Sequence, residues 1–227
     1  MLSIIVPTLN EEKYLGKLLD CLTSQSYQDF EVIVVDGNSD DKTKEVVSKS
    51  SKRLDIKLGN SKKRNVAYQR NLGVKYAKFD RLLFLDADVV FNSDFLGKII
   101  DVDFGSVTLL PLKGRWHDKL FFNLINKTFL ILQYIKPYSL GACIITNKQL
   151  HNQIGGFNDK LGFCEEFYYV RKGSKYSRFR IRKDAVVFTS VRRFEKKGTK
   201  DTIKIWLKSF FYNLFTNRFL KVRYFHH

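Results

Sequence analysis

Cysteine, proline and long apolar runs are all scarce in this chain of 227 residues. Its three cysteines, Cys21, Cys143 and Cys164, are far apart and form no CxxC pair. An odd, scattered set offers no disulfide framework and reads as reduced thiols. His117 and His151 lack the close spacing of a zinc site. Three prolines and 13 glycines exclude a fibrous or low-complexity chain. The most apolar stretch, Leu120 to Ile135, is interrupted by Asn123, Asn126 and Lys127. It falls short of the roughly 20 apolar residues that a membrane span needs. The opening MLSIIVPTLNEEKY has no basic leader, so a strand is expected there and not a signal peptide. The closing His226-His227 is given no chemical role.

Acidic residues are scarce in one half only. Residues 1–112 hold 16 basic and 16 acidic side chains, whereas residues 113–227 hold 24 and 7, so the whole formal charge of +17 lies in the second half. Such a surface attracts polyanions: nucleic acid, diphosphates or an anionic membrane leaflet.

The neutral half alternates short apolar runs with amphipathic stretches. SIIVPT, FEVIVVD, a weak LDIKL, RLLFLDAD and SVTLLPL are separated by helix-length segments such as Glu12 to Ser24 and Arg64 to Ala77. Runs apolar on both faces suit a parallel sheet covered by helices, which makes the fold class α/β. Ligands in such sheets bind beyond the carboxyl ends of the strands. There the first run ends in Pro7-Thr8-Leu9-Asn10-Glu11-Glu12 and the second in Asp36-Gly37-Asn38-Ser39-Asp40-Asp41. Asn10, Ser39 and Asp40 are also natural helix caps, whereas Asp36 directly follows four apolar strand residues. A later strand ends in Asp86-Ala87-Asp88, whose carboxylates share a face at extended spacing. Two carboxylates with phosphate oxygens and water suit Mg²⁺ or Mn²⁺.

Taken together, SIIVPTLNEEKYL, VIVVDGNSDDKT, AYQRNLGVKYA, LLFLDADV, GACIITNKQLHNQIGGFND with CEEF, and SVRRFEKKG resemble the family 2 glycosyltransferases of the GT-A fold. The resemblance implies a Rossmann-like, mixed, mostly parallel sheet flanked by helices. It also implies metal-dependent, inverting transfer of a sugar from a nucleoside-diphosphate sugar. By the same resemblance, Pro7, Thr8, Glu11 and Asp36 bind the nucleoside. Arg70 lies near the nucleotide, Asp86 bridges ribose or metal, and Asp88 is the direct metal ligand. Gly155-Gly156-Phe157 forms the turn beneath the acceptor site. Glu165-Glu166 stands where the family carries its Glu-Asp pair, with the second member as base. The longer Glu166 departs from that pattern, so either glutamate could serve. Arg192 and Arg193 resemble an S-x-R-R-aromatic motif, and arginine suits a leaving diphosphate.

The expected organisation is a nucleotide-binding half over 1–112, an acceptor-binding half over 113–198 and a basic amphipathic extension over 199–227. In the extension, Ile203, Trp206, Leu207, Phe210, Phe211 and Leu214 recur at helical spacing. That helix fits either a membrane interface or the domain itself. The expected partners are a nucleoside-diphosphate sugar and a glycan or lipid-linked acceptor. The expected location is cytoplasmic, peripheral to an anionic membrane at its inner face. Two competitors use other chemistry. Nucleic-acid binding would employ Tyr168, Tyr169, Arg171, Tyr176, Arg178, Phe179 and Arg180, yet leaves Asp36, Asp86 and Asp88 idle. A nucleotidyltransferase would carry a glycine-rich loop where PTLNEE has none.

Overall fold

A computed structural model describes residues 1–161 and 163–216. In chain order the elements are β1 (Leu2–Thr8), α1 (Leu15–Thr23), β2 (Phe30–Asp36), α2 (Thr43–Ser50), β3 (Ile56–Asn60), α3 (Val66–Tyr76), β4 (Arg81–Leu85), β5 (Val89–Val90) and α4 (Phe95–Ile99). They continue as β6 (Gly105–Leu112), α5 (Trp116–Leu132), β7 (Cys143–Asn147), α6 (Lys148–Ile154), α7 (Glu165–Gly173), β8 (Arg180–Ser190), α8 (Arg192–Lys197) and α9 (Thr199–Thr216). The strands form one sheet in the order β3-β2-β1-β4-β7-β6-β8-β5.

The neutral half supplies a parallel block, β3-β2-β1-β4. Every residue of β1 is buried, as a strand covered on both faces requires. Helix α3 lies so close to β1 that a Cβ on Gly73 would overlap the Ile5 side chain. That approach brings Gln69 and Arg70, both buried, to the strand ends.

Beyond β4 the sheet is mixed, which the apolar runs alone do not reveal. Strand β7 is antiparallel to β4, with Leu85 opposite Cys143. The loop entering β7 therefore arrives at the edge where β4 exits, and Asp86 N–H donates to Ala142 O at 3.2 Å. Strand β8 runs parallel to β6 and antiparallel to the short β5. Its last residues thus return to the same edge, where Ser190 N–H donates to Asp88 O at 3.1 Å.

The C-terminal helix packs on the domain. Ile203 and Trp206 of α9 join the core cluster that includes β1, β2, β4 and β6, and Phe210 and Leu214 join a smaller cluster around Phe129, Tyr138 and Phe167. Leu207 and Phe211 turn outward instead, so the single apolar face expected for this helix is divided in two. Helical spacing gives a broad apolar arc, but only one side of it meets α5 and the core. Residues 217–227, the remainder of the expected extension, lie outside the described residues.

Candidate active site

The parallel register sets Thr8 opposite Asp36 at the ends of β1 and β2. Asp36 is fully buried, and its carboxylate accepts from Ser39 N–H at 2.9 Å and from the Ser39 hydroxyl, while Lys44 Nζ lies 3.5 Å away. Pro7 pairs with Val35 one step earlier. The loops after the two strands are stitched together: Asn10 N–H donates to Ser39 Oγ at 2.9 Å, and Asn10 Oδ1 accepts from Asp40 N–H at 2.8 Å. Asp41, just ahead of α2, accepts from Thr43 N–H at 2.9 Å. Gln69 carries no signal of its own in the sequence, yet its amide donates at 2.7 Å to both Thr8 O and Val35 O and ties the strand ends to α3.

Arg70 is the hub of the site. One guanidinium nitrogen donates to Asp86 Oδ1 at 2.8 Å and to Gly141 O at 3.2 Å, and the other donates to Glu165 Oε1 at 2.9 Å. Its side chain is only 3% exposed and lies 5.1 Å above the Phe157 ring. Burial alone would favour the neutral form, but Asp86, Glu165 and Glu166 hold the guanidinium firmly charged.

Glu165 and Glu166 open α7, where a helix N-terminus favours negative charge. Their environments differ. Glu165 is buried and spends its carboxylate on Arg70. Burial first, and then the adjacent Glu165 charge, push the Glu166 carboxyl well above the usual range. Gly141 forms a wall of this pocket: a Cβ there would lie 3.3 Å from Glu166 Cγ.

On the opposite side Arg192 bridges Glu11 and Asp88. Its Nη1 donates to Glu11 Oε2 at 2.7 Å, its Nε lies 3.2 Å from Asp88 Oδ2, and its guanidinium covers the Tyr14 ring at 4.6 Å. Tyr14 carries no signal in the sequence, because only folding brings it under a residue 178 positions later. Burial raises the Glu11 carboxyl pKa; Arg192 opposes this, and the nearby Asp88 and Asp86 add to it. Three carboxylates therefore crowd one end of the cleft. The side chain of Arg193 lies outside the described residues.

Gly155 and Gly156 bear on the site through Asn71 and Phe157. Gly155 ends α6 in a left-handed conformation, and Gly156 follows at φ 74°. The turn lets Phe157 N–H donate to Asn71 Oδ1 and Phe157 O accept from Asn71 Nδ2, each at 2.8 Å, so the ring is held beneath Arg70. Of the aromatics expected for nucleic-acid stacking, Tyr176 is exposed and Tyr168 half-buried, but two are out of reach. Tyr169 and Phe179 are buried, and Tyr169 stacks on Phe157 at 4.0 Å.

The donor set fits a hard divalent cation. Asp86 and Asp88 supply oxygens beside a third carboxylate that already feels their charge. Among the described residues no group of three His, Cys, Asp or Glu side chains could hold a metal by itself. Phosphate oxygens and water would have to complete the shell.

Comparison with known proteins agrees with this architecture. Residues 3–102 match the family described as glycosyl transferase family 2. Over those residues the chain is similar to that family. Poly(ribitol-phosphate) beta-N-acetylglucosaminyltransferase TarS of Staphylococcus aureus strain Mu50 is 35% identical over 119 residues, covering 49% of this chain and 21% of that protein. A dolichyl N-acetyl-alpha-D-glucosaminyl phosphate 3-beta-D-2,3-diacetamido-2,3-dideoxy-beta-D-glucuronosyltransferase of Methanococcus voltae is 36% identical over 105 residues, covering 44% of this chain and 33% of that one. The chain thus spans about a fifth to a third of the length of these relatives. Crystallised TarS 1-349 with UDP superposes with a TM-score of 0.69 at 23% identity, covering 84% of this chain and 60% of that chain. The mannosyltransferase PcManGT of Pyrobaculum calidifontis, in complex with GDP-Man and Mn²⁺, gives 0.69 at 24%, covering 84% and 56%. At these identities the two structures speak to the fold, which is GT-A.

Proposed function

We infer that the protein transfers a sugar from a nucleoside-diphosphate sugar to an acceptor hydroxyl with inversion, using Mg²⁺ or Mn²⁺. One observation carries the reading. Buried Arg70 joins the metal-type carboxylate Asp86 to Glu165, the neighbour of a carboxyl with a raised pKa, across a single cleft. Relatives that bind UDP, or GDP-Man with Mn²⁺, lend it support.

In this reading Thr8 and Asp36, at the strand ends, bind the nucleoside. Asp88 and Asp86 would hold the metal, which would offset the charge that grows on the departing diphosphate. Arg192 exchanges its contact with Asp88 for the diphosphate. Glu166 takes the proton of the acceptor hydroxyl as that oxygen bonds to the anomeric carbon. The bond from that carbon to the diphosphate oxygen breaks on the opposite face. Glu165 fixes Arg70 and leaves the base role to Glu166. A lipid phosphate is already ionised and needs no such base, so the raised Glu166 favours a hydroxyl, on a glycan or a lipid-linked glycan. The basic second half favours a cytoplasmic protein at the inner, anionic face of the membrane.

The test is a thermal-shift series with UDP, GDP and their sugars, with and without Mn²⁺. Ligand bound to the folded state raises the midpoint. A rise that requires both nucleotide and metal is expected. No rise with any of them would refute the reading.

A further inference from the structure

Helices α5 and α9 run side by side in the same direction. Phe121 meets Trp206 at 6.1 Å between ring centroids, Phe129 meets Phe210 at 5.9 Å, and Lys136 Nζ donates to Asn213 O at 2.9 Å. With these contacts made, each helix still carries a second apolar row facing away from the domain. On α5 it is Trp116, Leu120, Leu124 and Ile131, and on α9 it is Leu207, Phe211 and Phe215. Exposure reaches 76% at Trp116 and 78% at Phe215, so that large apolar groups face water even where Trp116 meets His117 and Phe215 stacks on Phe211 within their own helices.

We propose that these two rows form one docking surface for an anionic bilayer, on which the helices lie flat. Charge decides the occupant. Lys119 and Lys127 on α5 and Lys204 and Lys208 on α9 are exposed alongside the apolar rows, and Asp201 near the start of α9 is an exposed acid on the same two helices. In an isologous contact with a second copy, these lysines would be brought toward their own symmetry mates and lose water. An anionic leaflet pairs with the lysines and accepts the apolar rows beneath its headgroups. Trp116 at one end of α5 and Tyr134, 72% exposed just past the other, are of the type favoured at the headgroup level. Among the described residues no helix is long and apolar enough to cross a membrane, so the contact is interfacial.

The surface also has a direction. After Ile135, also exposed, the chain turns through Lys136 and reaches Gly141, whose carbonyl accepts from Arg70 and which borders Glu166. The proposal places the acceptor side of the cleft toward the bilayer, since only five residues of chain separate Ile135 from Gly141. Resting on the transferase reading, this orientation selects an acceptor carried by a membrane lipid; the surface itself does not depend on that reading.

The experiment measures co-sedimentation of the full chain with vesicles of phosphatidylglycerol or phosphatidylcholine, at low and physiological salt, alongside sedimentation velocity without lipid. The expected result is binding to phosphatidylglycerol that weakens as salt rises and is slight on phosphatidylcholine. Leu120→Ser with Phe211→Ser should reduce the partition coefficient by at least about tenfold, since each removes a large apolar side chain from the contact. Lys204→Glu with Lys208→Glu should reduce it at low salt. All four sites are exposed, and an unchanged thermal midpoint with an unchanged nucleotide-induced shift would show that fold and donor site persist. Failure to bind phosphatidylglycerol, or equal binding by the variants, overturns the proposal. So does a dimer in sedimentation velocity that Leu120→Ser with Phe211→Ser dissolves. Vesicle binding without any nucleotide-induced shift would refute the transferase reading and leave the surface standing.

Discussion

Arg70 and Glu165 lie 95 positions apart in the chain and meet at 2.9 Å, each almost removed from water. A buried pair of this kind binds the helix after β3 to the helix that carries the candidate base. Breaking it is expensive, because removing one partner leaves the other charged and uncompensated.

Arg70→Ala should therefore destabilise the protein by about 3–5 kcal/mol, the usual consequence of orphaning buried charges. Arg70→Lys retains the charge but loses the fork that reaches Asp86 and Glu165 together, and an intermediate loss is expected. Urea denaturation of both variants provides the measurement, and wild-type stability in Arg70→Ala would refute the hub.

Glu166→Gln and Glu165→Gln should differ in kind. The first should lower kcat by about 10²-fold or more, as loss of a general base does, with donor affinity nearly intact. It should also raise the melting temperature at neutral pH. A carboxyl whose pKa is raised by folding contributes stability below its unfolded pKa and loses it as pH rises through the folded value, and glutamine avoids that loss. Glu165→Gln removes a counterion from buried Arg70 and should melt lower than wild type. Melting curves at pH 5 and pH 8, read with single-turnover rates, separate the two roles.

The pH profile of kcat/KM offers an independent check. Glu166 must be ionised to accept a proton, so activity should rise with pH through a group titrating above the ordinary glutamate value of about 4.3. An acid limb at the ordinary value would remove Glu166 from the base role.

Asp88→Ala should eliminate the Mn²⁺-dependent part of nucleotide binding while changing the melting temperature little, because Arg192 keeps its contact with Glu11. Calorimetric titration of UDP with Mn²⁺, and again with EDTA, is the readout. Full turnover by Asp88→Ala in EDTA would end the metal assignment.

Gly156→Ala should destabilise by about 1–2 kcal/mol, the cost of a left-handed conformation for a residue with a Cβ. The added methyl would also stand 2.7 Å from Asn71 Oδ1, which positions Phe157. A loss confined to below about 0.5 kcal/mol in urea denaturation would mean that the turn relaxes freely.

How much was legible in advance follows from which interactions are local. Burial on both faces makes β1, β2 and β4 continuous apolar runs, so those strands and the acidic residues that end them, Asp36, Asp86 and Asp88, could be read from the order of residues. The location of all excess positive charge was equally legible, since charge is counted and not folded. Partnership was not. Nothing local to Glu165 or Glu166 distinguishes one carboxylate from the other; the distinction comes from Arg70, which α3 delivers from across the sheet, and from the burial that α7 imposes. Arg192 reaches Asp88 and Glu11 because β8 pairs antiparallel with β5, a pairing of two residues too short to leave a sequence signal. Likewise the apolar arc of α9 was visible as a period, but a period does not say which part of the arc is covered. Only the groove beside α5 determined that Trp206 and Phe210 face inward and Leu207 and Phe211 face out, because contact depends on the shape of both partners and the sequence of one helix describes only its own.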